Sequence, residues 1–260
     1  MIKNSLIVFL IISLIACTNQ ESEKSPEAEM HKPEMVLQLE ETHQMDQWYQ
    51  NEMITFDLNL VFGGKKRFKG TISMTPNGGL VRMEDSSKTM IWNGEEAFIY
   101  PDTISYKRAR FDLLTWSYFF AAAYKLSDPG TNHSMIEDRK LDGLNYPSFK
   151  LTFGEGVGDS PDDWYIVYQD RETKLLSGMA YIVTYSSSVE EEEEDPHLIT
   201  YSNYQNINLF PIAMNWKFWT WDESGAMDRQ LGEASISNVE FTGFSEELFI
   251  PDSSFKLAGK

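Results

Sequence analysis

Ile54-Thr55-Phe56-Asp57-Leu58-Asn59-Leu60-Val61-Phe62-Gly63-Gly64 sets apolar and polar residues in strict alternation and ends in a glycine pair. Period two puts Ile54, Phe56, Leu58 and Leu60 on one face of an extended strand. Gly63-Gly64 supplies a turn, and a second strand follows through Phe68, Thr71 and Ile72. Pro76-Asn77-Gly78-Gly79 is another turn with residues that tolerate positive φ. Leu80 to Glu84, Thr89 to Trp92 and Ala97 to Tyr100 continue the pattern, with Asn93-Gly94 between the last two. This is a meander of antiparallel hairpins.

Working outward, residues 34–50 carry a helical period through Met35, Leu39, Thr42 and Met45. Pro33 stands near its start, where a missing N–H costs nothing. Residues 111–126 interrupt the strands with a nearly continuous apolar and aromatic run without Gly or Pro. They predict a buried helix stopped by Asp128-Pro129-Gly130, too short to span a membrane. Strands resume at 135–141, 146–153, 164–168, 175–184, 198–206, 212–220 and 234–244. The expected fold is mainly β with two helices (α+β): one strongly curved antiparallel sheet with the helices on its concave face.

The N-terminus reads as an export address. Lys3 precedes an apolar run from Leu6 to Ile15, and Leu14-Ile15-Ala16-Cys17 resembles a bacterial lipoprotein lipobox. The resemblance implies cleavage before Cys17 and acylation of that cysteine. We therefore expect residues 1–16 as a signal peptide and 17–33 as a polar, disordered tether. One domain over 34–250 and a C-terminal tail over 251–260 complete the division.

Cys17 is the only cysteine, so no intramolecular disulfide can form. The whole chain carries 22 basic and 40 acidic residues; without Lys3 the remainder has a net charge of −19. That excludes nucleic acid and adsorption to anionic lipid by charge. Attachment to the membrane then rests on lipid at Cys17.

No segment carries a catalytic or metal signature. The four histidines, His31, His43, His133 and His197, are widely spaced and form no zinc motif. There is no Gly-x-Ser-x-Gly elbow. Asp159, Asp162 and Asp163 beside a glycine-rich loop lack the order of a calcium loop, and the run Glu190 to Asp195 reads as a solvated loop. We expect no cofactor and no metal, and an enzymatic activity has no motif in its favour.

Four motifs stand out along the chain. His43 and Trp48 stand near the end of the first helix. Trp92-Asn93-Gly94 precedes Ala97-Phe98. Trp164-Tyr165-Ile166-Val167-Tyr168 runs into Asp170-Arg171-Glu172-Thr173-Lys174, and Tyr201-Ser202-Asn203-Tyr204-Gln205 is followed by Pro211 and Trp216. In these the chain resembles a Bacteroidota lipoprotein family of unknown function with a lipoprotein-carrier (LolA/LolB-like) fold, which implies an incomplete barrel. The family pattern has glycine after the histidine; Gln44 stands there in this chain.

The resemblance implies an envelope protein, most often at the outer membrane, that holds acyl chains in a concave sheet. Trp116, Phe119, Phe120, Trp216 and Phe218 are the candidate ligand-binding residues. The same aromatics would serve equally well as packed core, because both cases share one binary pattern. Trp219 and Trp221 alternate onto the face of Lys217 and are the candidate surface for an envelope protein partner. The alternative function is thus an interaction or scaffolding lipoprotein with a filled core.

One prediction follows from the N-terminal address. Cys17→Ser should release an otherwise folded protein from the membrane fraction. Persistent sedimentation of that variant with membranes would show another anchor.

Overall fold

A computed structural model describes residues 32–258, which belong to one compact unit. Cys17, the segment 1–16, His31 and nearly all of the expected tether lie outside the described residues. The described chain opens with α1 (Glu34–His43) and α2 (Met45–Trp48). A first group of strands follows: β1 (Met53–Phe62), β2 (Lys65–Met74), β3 (Val81–Asp85), β4 (Thr89–Trp92) and β5 (Ala97–Tyr100). Next comes α3 (Ala109–Ala121), ending in a tight turn over Ala122–Tyr124.

The second group is β6 (Thr131–Met135), β7 (Arg139–Leu141), β8 (Leu144–Tyr146), β9 (Ser148–Phe153), β10 (Trp164–Gln169) and β11 (Leu176–Tyr181). After α4 (Val189–Glu192) come β12 (His197–Ile207), β13 (Phe210–Thr220), β14 (Gln230–Thr242) and a short β15 (Lys256–Leu257).

Thirteen strands form one antiparallel sheet in the order β15-β5-β4-β3-β2-β1-β14-β13-β12-β11-β10-β9-β6. Nearly all neighbours are close in sequence. The exception at the centre is β1 against β14, which joins the first meander to the last; Leu58 stands opposite Ile236 and Leu60 opposite Ala234. The two edges do not pair, so the sheet is an incomplete barrel, as expected. Glycines on both sides of β1 permit the bend. A Cβ on Gly70 would lie 2.0 Å from the Glu84 carbonyl oxygen, and one on Gly232 would lie 2.5 Å from that of Val61.

The alternation read in β1 is the burial pattern found. Ile54, Phe56, Leu58 and Leu60 are buried with Ile72, Met83, Val167, Met179, Ile199 and Phe218 in one concave core. An apolar concave face needs a cover, and α1, α3 and the turn at 122–124 supply it. Phe120 stacks on Phe56 with ring centroids 3.7 Å apart, and Trp48 stacks on Tyr124 at 3.6 Å. The Trp48 indole N–H donates to the Pro76 carbonyl at 3.0 Å, so the apolar ring is buried without an orphaned polar atom.

Three local expectations change. The helix expected over 34–50 breaks at Gln44, which adopts φ 58° and ψ 45° between α1 and α2. This is the left-handed conformation that a glycine there would adopt freely. The acidic run expected as a solvated loop contains α4. Ser188 and Glu191 cap it reciprocally, a signal present in the order Ser-Val-Glu-Glu. The C-terminal segment expected as a tail contributes β15, whose Lys256 and Leu257 pair with Ile99 and Phe98 at one sheet edge. Among the described residues no helix is long and apolar enough to cross a membrane.

His43 is wholly enclosed at the end of α1. Its Nε2 accepts the Leu176 N–H at 3.2 Å, which places the proton on Nδ1 of the neutral ring. Burial pushes its pKa down to about 3, partly offset by the Pro211 carbonyl.

Two predictions follow from this corner. Gln44→Val, β-branched at a positive φ, should destabilise the protein by about 1–2 kcal/mol, whereas Gln44→Gly should not; denaturant titration measures both. Between pH 6.5 and about 3 the unfolded chain binds a proton at His43 that the folded chain refuses. Stability should therefore fall as pH falls through that window on account of this group. A His43→Gln variant should show a shallower fall in thermal midpoint, and an identical pH profile would refute the assignment.

Candidate functional site

The helix α3 is apolar on both sides, and the two sides do different work. Trp116, Phe119 and Phe120 face the sheet. Trp116 meets Phe218 edge-on with centroids 6.0 Å apart, and Phe119 lies 5.1 Å from Tyr181. The other stripe, Phe111, Leu114 and Tyr118 at positions i, i+3 and i+7, does not reach the sheet centre. With Thr115 it forms the floor of a partly open cavity of about 430 Å³.

The cavity sits where the barrel fails to close. Asn77, Gly78 and Trp92 bound it on the side of the first meander; Thr131, Phe153, Tyr165, Val183 and Tyr185 bound it on the other. The segment Val157–Ser160 closes one wall. Its volume is at the lower end of the ~300–1,000 Å³ typical of small-molecule sites. Apolar body and few polar groups are the composition such sites share.

Its charged residues are mostly spoken for. Arg110 grips Asp159 with two bonds of 2.5 and 2.7 Å, lies over the Trp92 ring, and donates to the Glu95 carbonyl at 3.2 Å. It thereby ties the β4–β5 turn to the glycine-rich loop. Lys125 pairs with Asp128 at 2.5 Å and donates to the Asn77 carbonyl at 2.9 Å. Asp128 also accepts the Tyr49 hydroxyl at 2.8 Å.

Asp163 differs. It is 8% exposed, and its Oδ1 accepts both the N–H and the hydroxyl of Thr184 at 2.7 Å. Burial pushes its carboxyl pKa up to about 6, against the lowering effect of the Thr184 bonds. Tyr118 stacks on Tyr165 at 5.5 Å, and its hydroxyl is buried without a hydrogen-bond partner. Burial raises both phenols; the Asp128 charge, and less so the Asp163 charge, raises Tyr118 further, against the lowering effect of Tyr165.

The residues expected from sequence to bind ligand are distributed otherwise. Trp116, Phe120, Trp216 and Phe218 belong to the packed core, and only Phe119 reaches the cavity wall. Phe119, Phe120 and Trp216 also touch a void of about 20 Å³ beside His43, room for roughly one water. The true lining was signalled in part by the second apolar stripe of α3, since a helix apolar all round must be covered on both sides.

Trp221 is not a surface residue. It is 7% exposed in a separate convex-side core with Leu141, Ile166, Tyr168 and Leu198, and its indole N–H donates to the Tyr168 hydroxyl at 2.9 Å. The β7–β8 hairpin and the residues after β13 cover that face, where Gly225 accepts the Asp142 N–H at 3.2 Å. Trp219 is half-buried, its indole N–H bonded to the Thr200 hydroxyl at 3.1 Å and its ring below Lys217. Of the expected partly exposed pair, only Trp219 reaches the surface.

His133 and His197 lie apart: His133 bonds the Leu126 carbonyl at 2.6 Å, and His197 stands 3.8 Å from Asp195. Among the described residues no three His, Asp or Glu side chains converge as a metal site would require.

No protein-family model matches the sequence, and no curated protein does. Solved structures do match in fold. A LolA superfamily protein from Nitrosomonas europaea superposes with a TM-score of 0.51 at 8% identity, covering 82% of this chain and 97% of its own. A DUF1329 family protein from Desulfovibrio piger gives 0.49 at 11% identity over 84% and 98%. A domain described as an outer membrane lipoprotein-sorting protein, from Vibrio parahaemolyticus, gives 0.43 at 12% identity over 82% and 95%. The open thirteen-stranded sheet with helices in its concavity is LolA-like in fold.

Proposed function

We propose that this protein is a non-enzymatic envelope lipoprotein, anchored at the outer membrane through lipid on Cys17, that binds an apolar or amphiphilic ligand in the cavity beside α3. The observation that carries this reading is the 430 Å³ space itself. The space is partly open, and Phe111, Leu114, Phe153 and Val183 on its wall leave apolar surface uncovered. Occupation by an apolar group covers it. The lipoprotein-carrier resemblance implies the same ligand class.

Volume limits the guest. A cavity near the small end of the usual range suits one hydrocarbon chain and excludes full enclosure of a lipid with several. The occupant is either a free single-chain molecule or one apolar segment of an exported partner. A scaffold acting through Trp219 and Trp221 has less support, because Trp221 is enclosed and bonded to Tyr168.

Thr115→Trp tests the proposal. Thr115 is a half-buried position on the cavity floor, so an indole there fills space without disturbing Trp116 or Phe120. The wild-type protein from Lys32 onward should bind the fluorescent hydrocarbon diphenylhexatriene and should carry co-purified lipid in native mass spectra. The variant should keep its thermal midpoint and lose at least about tenfold in probe affinity, since burying a few methylene equivalents contributes roughly 2 kcal/mol. Equal binding by both proteins would place the ligand elsewhere.

A further inference from the structure

The charges around the cavity single out one atom. Of the carboxylates on its wall, Asp159 is neutralised by Arg110 and Asp128 by Lys125. Both cations are consumed in those pairs, so neither is free to receive an anion. Asp163 has no cation partner among the described residues. Its Oδ1 is committed to Thr184, while Oδ2 takes no hydrogen bond from any described residue.

That oxygen is not sealed in the protein, so a donor arriving with the ligand can reach it and complete the solvation of the carboxylate. Of the three carboxylates on the wall, Asp159 has both oxygens on Arg110 and Asp128 has its two on Lys125 and Tyr49, so Asp163 alone keeps an oxygen that no described group satisfies.

We propose that the cavity selects single-chain amphiphiles whose polar end donates hydrogen bonds, as a hydroxyl or an ammonium does, to Asp163, and discriminates against those that end in a carboxylate. This rests on the reading of the cavity as a ligand site and adds the chemistry of the ligand's head. The apolar body lies along Phe111, Leu114 and Phe153, with the head at the Asp163 end. The elevated carboxyl pKa of Asp163, about 6, accords with an anion held in poor solvation and still mainly ionised at neutral pH.

Displacement of diphenylhexatriene from the protein, below micelle-forming concentrations and at neutral pH, supplies the test. Monolauroyl glycerol and dodecanoate share one chain length and differ in the head. The glyceride should bind at least about tenfold more tightly, as expected for one hydrogen bond to a charged group.

Asp163→Asn keeps an oxygen for the two Thr184 bonds and removes the charge. In that variant the glyceride should weaken and dodecanoate should strengthen, so that the preference collapses. Net charge alone would leave the preference in place, because the protein remains strongly acidic without Asp163.

An unchanged ratio in Asp163→Asn overturns the head assignment, as does dodecanoate binding as tightly as the glyceride to the wild type. If the variant does not fold, methyl dodecanoate replaces it as the comparison: a donor-free ester that outcompetes the glyceride on the wild type also overturns the assignment. Diphenylhexatriene that binds and is displaced by neither amphiphile refutes the head chemistry alone. A wild-type protein that binds no probe at all removes the cavity reading with it.

Discussion

The docking of α3 into the concave face is the contact on which the rest depends. The sheet curls but does not close, so its apolar inner face would meet water along the open seam. Burying one aromatic or aliphatic side chain is worth about 1.5–3 kcal/mol, and Trp116, Phe119 and Phe120 each do so against the sheet. The partly exposed ion pairs at the rim, such as Arg110 with Asp159, contribute roughly 0–1 kcal/mol each. Packing therefore sets the position of α3, and the rim pairs only adjust the loop above it.

That docking also creates the cavity. A helix about 10 Å across cannot fill an open half-barrel. One side of α3 reaches Phe56, Tyr181 and Phe218. The other side is left facing Phe153, Tyr165 and Tyr185 across a gap. The α1–α2 corner closes the opposite end more completely, with Trp48 flat on Tyr124 and His43 sealed against Leu176. The same concavity is thus solid at one end and hollow at the other. The charges follow that division: an uncharged imidazole in the solid end, and an ionised carboxylate with one unmet oxygen in the hollow end.

Much of the architecture was legible. Strict alternation in β1, paired with glycine and asparagine turns, admits only half-buried antiparallel strands. The run at 111–126 had too many aromatics and no breakers, and it became the buried helix. The candidate site was less legible. Phe119 lines the cavity while Trp116, Phe120, Trp216 and Phe218 sit in the core alone, since side-chain type does not distinguish a filled space from an empty one. Trp221 was misread because it lies just past β13, where the convex side is covered locally. The cover is a separate hairpin, β7–β8, distant in sequence. Gln44 carried no signal of its own: nothing in its neighbours marks the positive φ that splits the first helix.

By itself the sequence determined the periodicities, the turns, the single cysteine and the acidic balance, because these depend on neighbours a few residues apart or on simple sums. Tertiary structure decided which stripe of α3 meets the sheet, which aromatics line the remaining space, and which of Asp128, Asp159 and Asp163 lacks a cation. Those outcomes depend on pairings between Arg110 and Asp159 or Asp163 and Thr184, residues separated by tens of positions. Local pattern does not encode such distances; only the curvature of the sheet and the unclosed seam bring them together.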